Sequence, residues 1–354
     1  LTATYAAENY QLRDDWHGRR RRLTQQKILE GIQSDEFLQA VTLLSSWDRR
    51  MTSIAAGREA EKAPGITSKR KDILDLSLSE YKRWADAATQ GFEHAARFLH
   101  TQKILTSRDV PYRSQLTPLA AILALLGDRA QQDGIRAQLS QWYWCGVFGE
   151  LYGGSIETRF ARDLGEVMAW IDGGAEPSTI ADASFSPNRL LTLRSRNSAA
   201  YKGLFALVLR DGCHDFRSGE RIDVASFFDE NVDIHHIFPK AWCKGRVDPA
   251  HVESFVNKTA ISARTNRIIG GNAPSVYLEK LQTTARISEE RMDEILQSHV
   301  IEPIALRLDE FDAFFAPRAE QLLGRIENAM GKPVLRDRAD TVEDLELAED
   351  EEAA

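Results

Sequence analysis

Two adjacent histidines, His235 and His236, stand in the stretch NVDIHHIFPKAW, residues 231–242, of a chain with only eight histidines among its 354 residues. Imidazole can hold a metal ion or, when neutral near pH 7, accept a proton. The pair therefore has two readings: a metal ligand beside a base, or two half-buried residues at the end of a strand. Neighbouring side chains on a strand point to opposite faces, so both can serve one site only if the strand ends or bends between them. Pro239, three residues after His236, is compatible with such an end. Asp233 lies two residues before His235 and shares its face on a strand. It is either structural or an assistant to a metal.

The elements that position these residues fall into two textures. Residues 1–212 read as a helical region. SDEFLQAVTLLSSWDRRMTSI has Ser34 as an N-cap, Asp35 and Glu36 in the first turn, and Phe37, Val41, Leu44 and Trp47 at helical spacing. SEYKRWADAATQGFEHAARFL repeats the pattern with Ser79 as cap. LTPLAAILALLG is nearly all apolar and predicts a buried helix ended by Gly127. Further helices are expected up to Gly153-Gly154, from Ser155 to Gly173-Gly174, and over SAAYKGLFALVLRDG. Trp142, Tyr143 and Trp144 read as core rather than a base-stacking platform, since no Lys or Arg interleaves them.

A boundary is expected around 212–216. Residues 213–332 mix β-branched residues with turn formers: a short strand in VNKTAISARTNR, a polar Asn-rich turn, a Gly-Gly break and a helix from about Pro274. SEERMDEILQSHVI predicts a capped amphipathic helix, and LDEFDAFFAPRAEQLLGRIENAM another, interrupted or restarted at Pro317. Residues 333–354 form the third segment. Its last 19 residues carry nine acidic and two basic side chains, so the rest of the chain is close to neutral despite the net charge of −8. Such a tail is expected to be disordered, serving solubility or competing with a polyanion for a basic groove.

No run of about 18 apolar residues predicts a membrane span, and the first residues lack the pattern of a signal peptide. Three cysteines, Cys145, Cys213 and Cys243, without a CxxC pair point to a reducing, cytoplasmic location rather than a disulfide framework. The chain has no starting Met and reads as a fragment of a larger protein.

The order Asp233, His235, His236, Pro239, then Asn257, then Asn266 resembles the HNH nuclease motif, a ββα-metal hairpin plus helix. Residues about 200–330 resemble the C-terminal HNH domain of GmrSD-type and SspE-like restriction (antiphage defence) proteins. In those proteins an NTPase-like domain precedes the helical region, and no GxxxxGK[ST] stretch for one occurs here. The resemblance implies a mainly α fold: a helical N-terminal region plus a small α+β ββα-metal domain surrounded by helices. It implies His235 as metal ligand and His236 as general base. Asn266 would supply a second metal ligand, and Asn257 would bond backbone across the loop and orient His236.

That chemistry is phosphodiester hydrolysis, which needs a water, a base and a cation at the phosphate. Many HNH sites carry Asp where His235 stands. Imidazole favours Zn, Ni, Co or Mn over Mg, while availability favours Mg or Mn. Lys240, Lys244, Arg246, Lys258, Arg264, Arg267 and Arg210 flank the motif; Arg267, Lys258, Arg264 and Lys240 are the expected DNA contacts. The run Arg19 to Arg22 is either another backbone contact or a solvated helix face. The expected function is a metal-dependent DNA endonuclease or nickase of a bacterial defence system. The alternative is a catalytically degenerate HNH-fold module that binds nucleic acid or protein.

Overall fold

The structure is a computed structural model that describes residues 1–154 and 156–335. These are mainly helical, with one small two-stranded sheet. Among the described residues no helix is long and apolar enough to cross a membrane. The acidic residues 336–354 lie outside the described residues. Just before them, Val334 is buried and the Leu335 amide donates to the Phe185 carbonyl at 2.7 Å.

The chain divides into two compact units that interleave in sequence instead of meeting at one point near 212. One unit comprises Leu1–Ala183, Ser195–His214 and Glu220–Val232; the other comprises Ser184–Arg194, Asp215–Gly219 and the described residues from Asp233 onward.

The first unit is built on helices Ser34–Ala55, Leu78–Thr101, Leu116–Leu126, Asp133–Phe148, Glu157–Ile171 and Ala199–Arg210. Leu116–Leu126 is almost entirely apolar and buried, and it lies against the long helices Ser34–Ala55 and Leu78–Thr101. Gly91 permits the second contact, since a Cβ there would collide with the Ala120 carbonyl. Gly127, at φ 52°, ends the buried helix. Trp142, Tyr143 and Trp144 are core residues, at most 1% exposed.

Several boundaries differ from the sequence reading for identifiable reasons. The cap of Leu78–Thr101 is Ser77, not Ser79, because only Ser77 has Glu80 three residues on to close a capping box. Ser34 is the first helical residue, and Glu36 accepts the Gln33 amide one residue earlier. Asp133–Phe148 stops at Gly149, before Gly153-Gly154. The next helix begins at Glu157; Ser155, the expected start, lies outside the described residues. In the Arg19–Arg22 run, Arg19 pairs with Asp15 and Asp86, and Arg22 with Glu93, whereas Arg20 and Arg21 line an open surface cleft with Asp14 and His17.

The second unit carries the motif. Strand β1, Asp233–His236, pairs antiparallel with β2, Lys258–Ile261, in the register Asp233 to Ile261, Ile234 to Ala260, His235 to Thr259 and His236 to Lys258. Helix Ala263–Ile269 follows β2 directly, where the sequence suggested a polar turn. Ser262 caps it by accepting the Thr265 amide, and the buried Asp215 carboxylate accepts the Ser262 amide at 2.9 Å and the Thr265 hydroxyl at 2.8 Å. Helix Pro274–Ala285 starts at its proline, and Glu289–Ser298 is capped by Ser288. Phe311–Met330 runs unbroken through Pro317, a departure from the expected interruption. Its buried face, with Phe311 and Phe314 against Phe238 at ring distances of 5.2 and 5.1 Å, holds the helix together across the lost backbone bond.

Candidate functional site

Strand β1 ends at His236, and the chain turns through Ile237-Phe238-Pro239 into the short helix Lys240–Cys243. That turn is tied from several sides. The Ile237 amide donates to the Asn257 carbonyl at 2.9 Å, and the Tyr277 hydroxyl donates to the Ile237 carbonyl at 3.0 Å. The Asn257 carboxamide is fully buried: Oδ1 accepts from the Phe238 amide at 2.9 Å, and Nδ2 donates to the Phe238 carbonyl at 3.0 Å and the Val252 carbonyl at 3.2 Å. Asn257 thus clamps the backbone that follows His236 and does not line the cleft described next.

The end of the strand resolves the face problem posed by two adjacent histidines. His235 and His236 both line an open cleft of about 280 Å³ together with Pro239, Lys240, Ala241, Asn266, Ile269 and Gly270. Asn266 reaches it from helix Ala263–Ile269, which Asp215 and Ser262 anchor behind β2. Asp233 is not among the residues lining this cleft, and one of its carboxylate oxygens accepts the Ile234 amide at 2.7 Å. Among the described residues no group of three or more His, Cys, Asp and Glu side chains is arranged to hold a metal ion. Of the side chains lining the cleft, the imidazoles of His235 and His236 and the carboxamide of Asn266 carry atoms of the kind that hold an ion.

His236 is half-buried, and its electrostatics are set by three neighbours. Burial, and next the Lys258 charge, push its pKa down to about 4, against the opposing pull of Glu253. The ring is therefore neutral near pH 7. Glu253, at the end of helix Pro249–Glu253, was not anticipated from sequence. Its Oε1 lies 2.5 Å from Lys240 Nζ, and its Oε2 lies 3.4 Å from Lys258 Nζ and 3.5 Å from His236 Nε2. Burial works to raise the Glu253 pKa, but the Lys240 bond and the surrounding cations hold it below the usual carboxylate value. A lone Glu four residues before Asn257 carries no periodic or motif signal; only the folded turn brings it to His236.

The expected DNA contacts separate into two groups. Arg264 and Arg267 are exposed one turn apart on the helix that carries Asn266, and Lys240 is exposed at the cleft. Lys258 is 6% exposed, and its ammonium donates to the Glu253 carbonyl at 2.6 Å. Of the other flanking cations, Arg246 lies over the Trp242 ring at 5.0 Å, and Arg210 bonds Gln102 within the helical unit. Cys145, Cys213 and Cys243 are all buried and none forms a disulfide.

No family model matches the chain. It is similar to an uncharacterized protein of the archaeon Methanocaldococcus jannaschii, 29% identical over 204 residues, which is 54% of this chain and 33% of the relative. The chain thus matches about a third of that relative's length.

Proposed function

We propose that the second unit is an HNH-type, metal-dependent DNA nuclease whose base is His236. The observation that carries this reading is the shared cleft: His235, His236 and Asn266, distant in sequence or opposed on a strand, line one opening together with Lys240. A hairpin that runs straight into a helix, with a buried asparagine clamping the turn between, supports the same reading.

In this reading the neutral His236 ring takes a proton from a water facing the cleft. Lys240, Arg264 and Arg267 hold the DNA backbone through its phosphates. Asn257 keeps the turn rigid, and with it the direction of the His236 ring. His235 and Asn266 would hold the divalent ion; an imidazole nitrogen and a carboxamide oxygen on an open cleft suit an ion that keeps most of its water. When bound, the ion supplies positive charge to the phosphate and the departing oxygen. Mg or Mn is proposed, with Zn, Ni and Co within reach of the same imidazole donor. Asp233, away from the cleft lining, is proposed as structural rather than a ligand.

One such site cuts one strand, so the product is a nick unless two chains act together. The resemblance to restriction proteins supports a role in defence against foreign DNA, with an NTPase-like domain of the whole protein as the proposed control. The test is relaxation of supercoiled plasmid with Mn or Mg, run beside an RNA substrate. Wild type should nick, and His236→Ala should be slower by at least about a hundredfold. Equal rates for the two would sink the reading. Salt-sensitive DNA binding without cleavage in any metal would instead support a degenerate binding module.

A further inference from the structure

We propose that Glu253 is a positioning residue for His236, fixing the ring with its Nε2 proton toward the carboxylate and leaving Nδ1 as the working nitrogen. This rests on the nuclease reading for its catalytic consequence, but not for its geometry.

His236 Nε2 is buried and has no hydrogen-bond partner among the described residues. The Glu253 carboxylate faces it, with Oε2 at 3.5 Å. That is longer than a hydrogen bond, but close enough for the charge to choose the tautomer. With the proton on Nε2 the N–H dipole points at a carboxylate. With the proton on Nδ1, the lone pair of the buried Nε2 would face that carboxylate, which is repulsive. The other nitrogen then carries the lone pair, which is how the partner of one imidazole nitrogen sets the role of the other.

The carboxylate is itself held in place. Lys240 grips Oε1 from the cleft side at 2.5 Å. Lys258 approaches Oε2 at 3.4 Å while its ammonium donates to the Glu253 backbone carbonyl at 2.6 Å. Lys258 can do this because the sheet register sets it opposite His236 and its side chain is only 8% exposed. The buried lysine therefore serves the histidine through Glu253. The helix bearing Glu253 is fixed at its start by Asp248, which accepts the Ala250 amide at 2.7 Å. Each of these groups lies within one unit, so the arrangement is local to the hairpin and its following turn.

The test uses the full chain, labelled with ¹⁵N-histidine, at one fixed pH near 7.5 and without metal. His236 is assigned by comparison with His236→Ala, and long-range ¹H–¹⁵N spectra read its tautomer. The expected result is a protonated Nε2 and an unprotonated Nδ1 in wild type. In Glu253→Gln, which keeps the side chain's size, that preference should be reduced to a mixture. On plasmid with Mn, Glu253→Gln should lower kcat by about 10- to 100-fold with KM for DNA nearly unchanged. Glu253→Asp, which keeps the charge, should lie between the two in both measurements.

A wild-type ring protonated on Nδ1, or a Glu253→Gln protein with the wild-type tautomer and kcat, overturns the proposal. If wild type cuts nothing, the nuclease reading fails while the spectra still decide the role of Glu253. Matching urea midpoints for wild type and Glu253→Gln would show that the change is not a loss of fold; if Gln fails to fold, Glu253→Asp decides by the same spectra.

Discussion

Asn257 holds Phe238 by both of its backbone polar groups, accepting from its amide at 2.9 Å and donating to its carbonyl at 3.0 Å. Phe238 is the second residue after His236, and its ring packs against Phe311 and Phe314 of the C-terminal helix. The one carboxamide thus links the end of β1, the turn and the unit's core. It does so from full burial, where no water can substitute for it.

Replacing Asn257 by Ala strands the Phe238 amide and leaves the Phe238 carbonyl only the weak Cys243 thiol donor at 3.6 Å. Each stranded buried group costs about 1–3 kcal/mol, so the unit should lose on the order of 3 kcal/mol. Urea unfolding followed by tryptophan fluorescence, to which Trp242 contributes from 5.0 Å beside the Phe238 ring, should show the lowered midpoint. An unchanged midpoint would mean that the clamp contributes nothing to stability.

Lys240 and Lys258 look alike in sequence and should behave differently. Lys240 is exposed at the cleft, and Lys258 is buried against Glu253. If Lys240 meets a phosphate, Lys240→Ala should reduce the slope of log Kd against log salt by about 0.9. Lys258→Met should leave that slope intact and lower the urea midpoint instead. Reversed results would exchange their roles.

Much of the helical skeleton was legible because its signals are local. Gly127, Pro274 and Ser288 mark helix ends or starts by their own backbone chemistry. The burial of Trp142, Tyr143 and Trp144 followed from apolar company without interleaved charge. Errors arose where a partner decides. Ser77 outranks Ser79 only through Glu80, and Pro317 is tolerated only because the surrounding aromatics pack. The helix Ala263–Ile269 did carry a signal, a Ser262 cap with Thr265 three residues on, but its main support is Asp215, 47 residues earlier than Ser262. At the cleft, His235 and His236 drew attention as an adjacent pair, and Asn266 was named only through the resemblance to the HNH motif. Glu253, and the burial of Lys258 behind it, depend on how the turn folds back.

The lowered pKa of His236 makes stability depend on pH. The unfolded ring titrates at the ordinary imidazole value of 6.5, and the folded ring at about 4, so folding favours the neutral form. Stability from this group is complete above pH 6.5 and is lost as pH falls from 6.5 through 4. Because the side chain is 21% exposed, solvent screening reduces the full linkage, to about 1–2 kcal/mol. Urea midpoints of wild type and His236→Gln, measured from pH 7.5 to 4.5, should converge as pH falls, since His94 and His100 contribute equally to both. Parallel curves would refute the assignment.

Asn266 tests the metal reading from the ligand side. It stands on a helix capped by Ser262 and anchored by Asp215, so its side chain can be changed without altering the support. A carboxamide oxygen is a neutral donor, and with His235 it gives a cation no negative charge. Asn266→Asp supplies that charge on nearly the same frame, and carboxylate suits Mg and Mn better than imidazole does. The half-saturating Mg concentration for nicking should therefore fall by roughly tenfold in Asn266→Asp. In Asn266→Ala it should rise, while DNA affinity without metal stays as in wild type. If both variants need the same Mg as wild type, Asn266 is not a ligand, and the ion must be held by His235 with other groups.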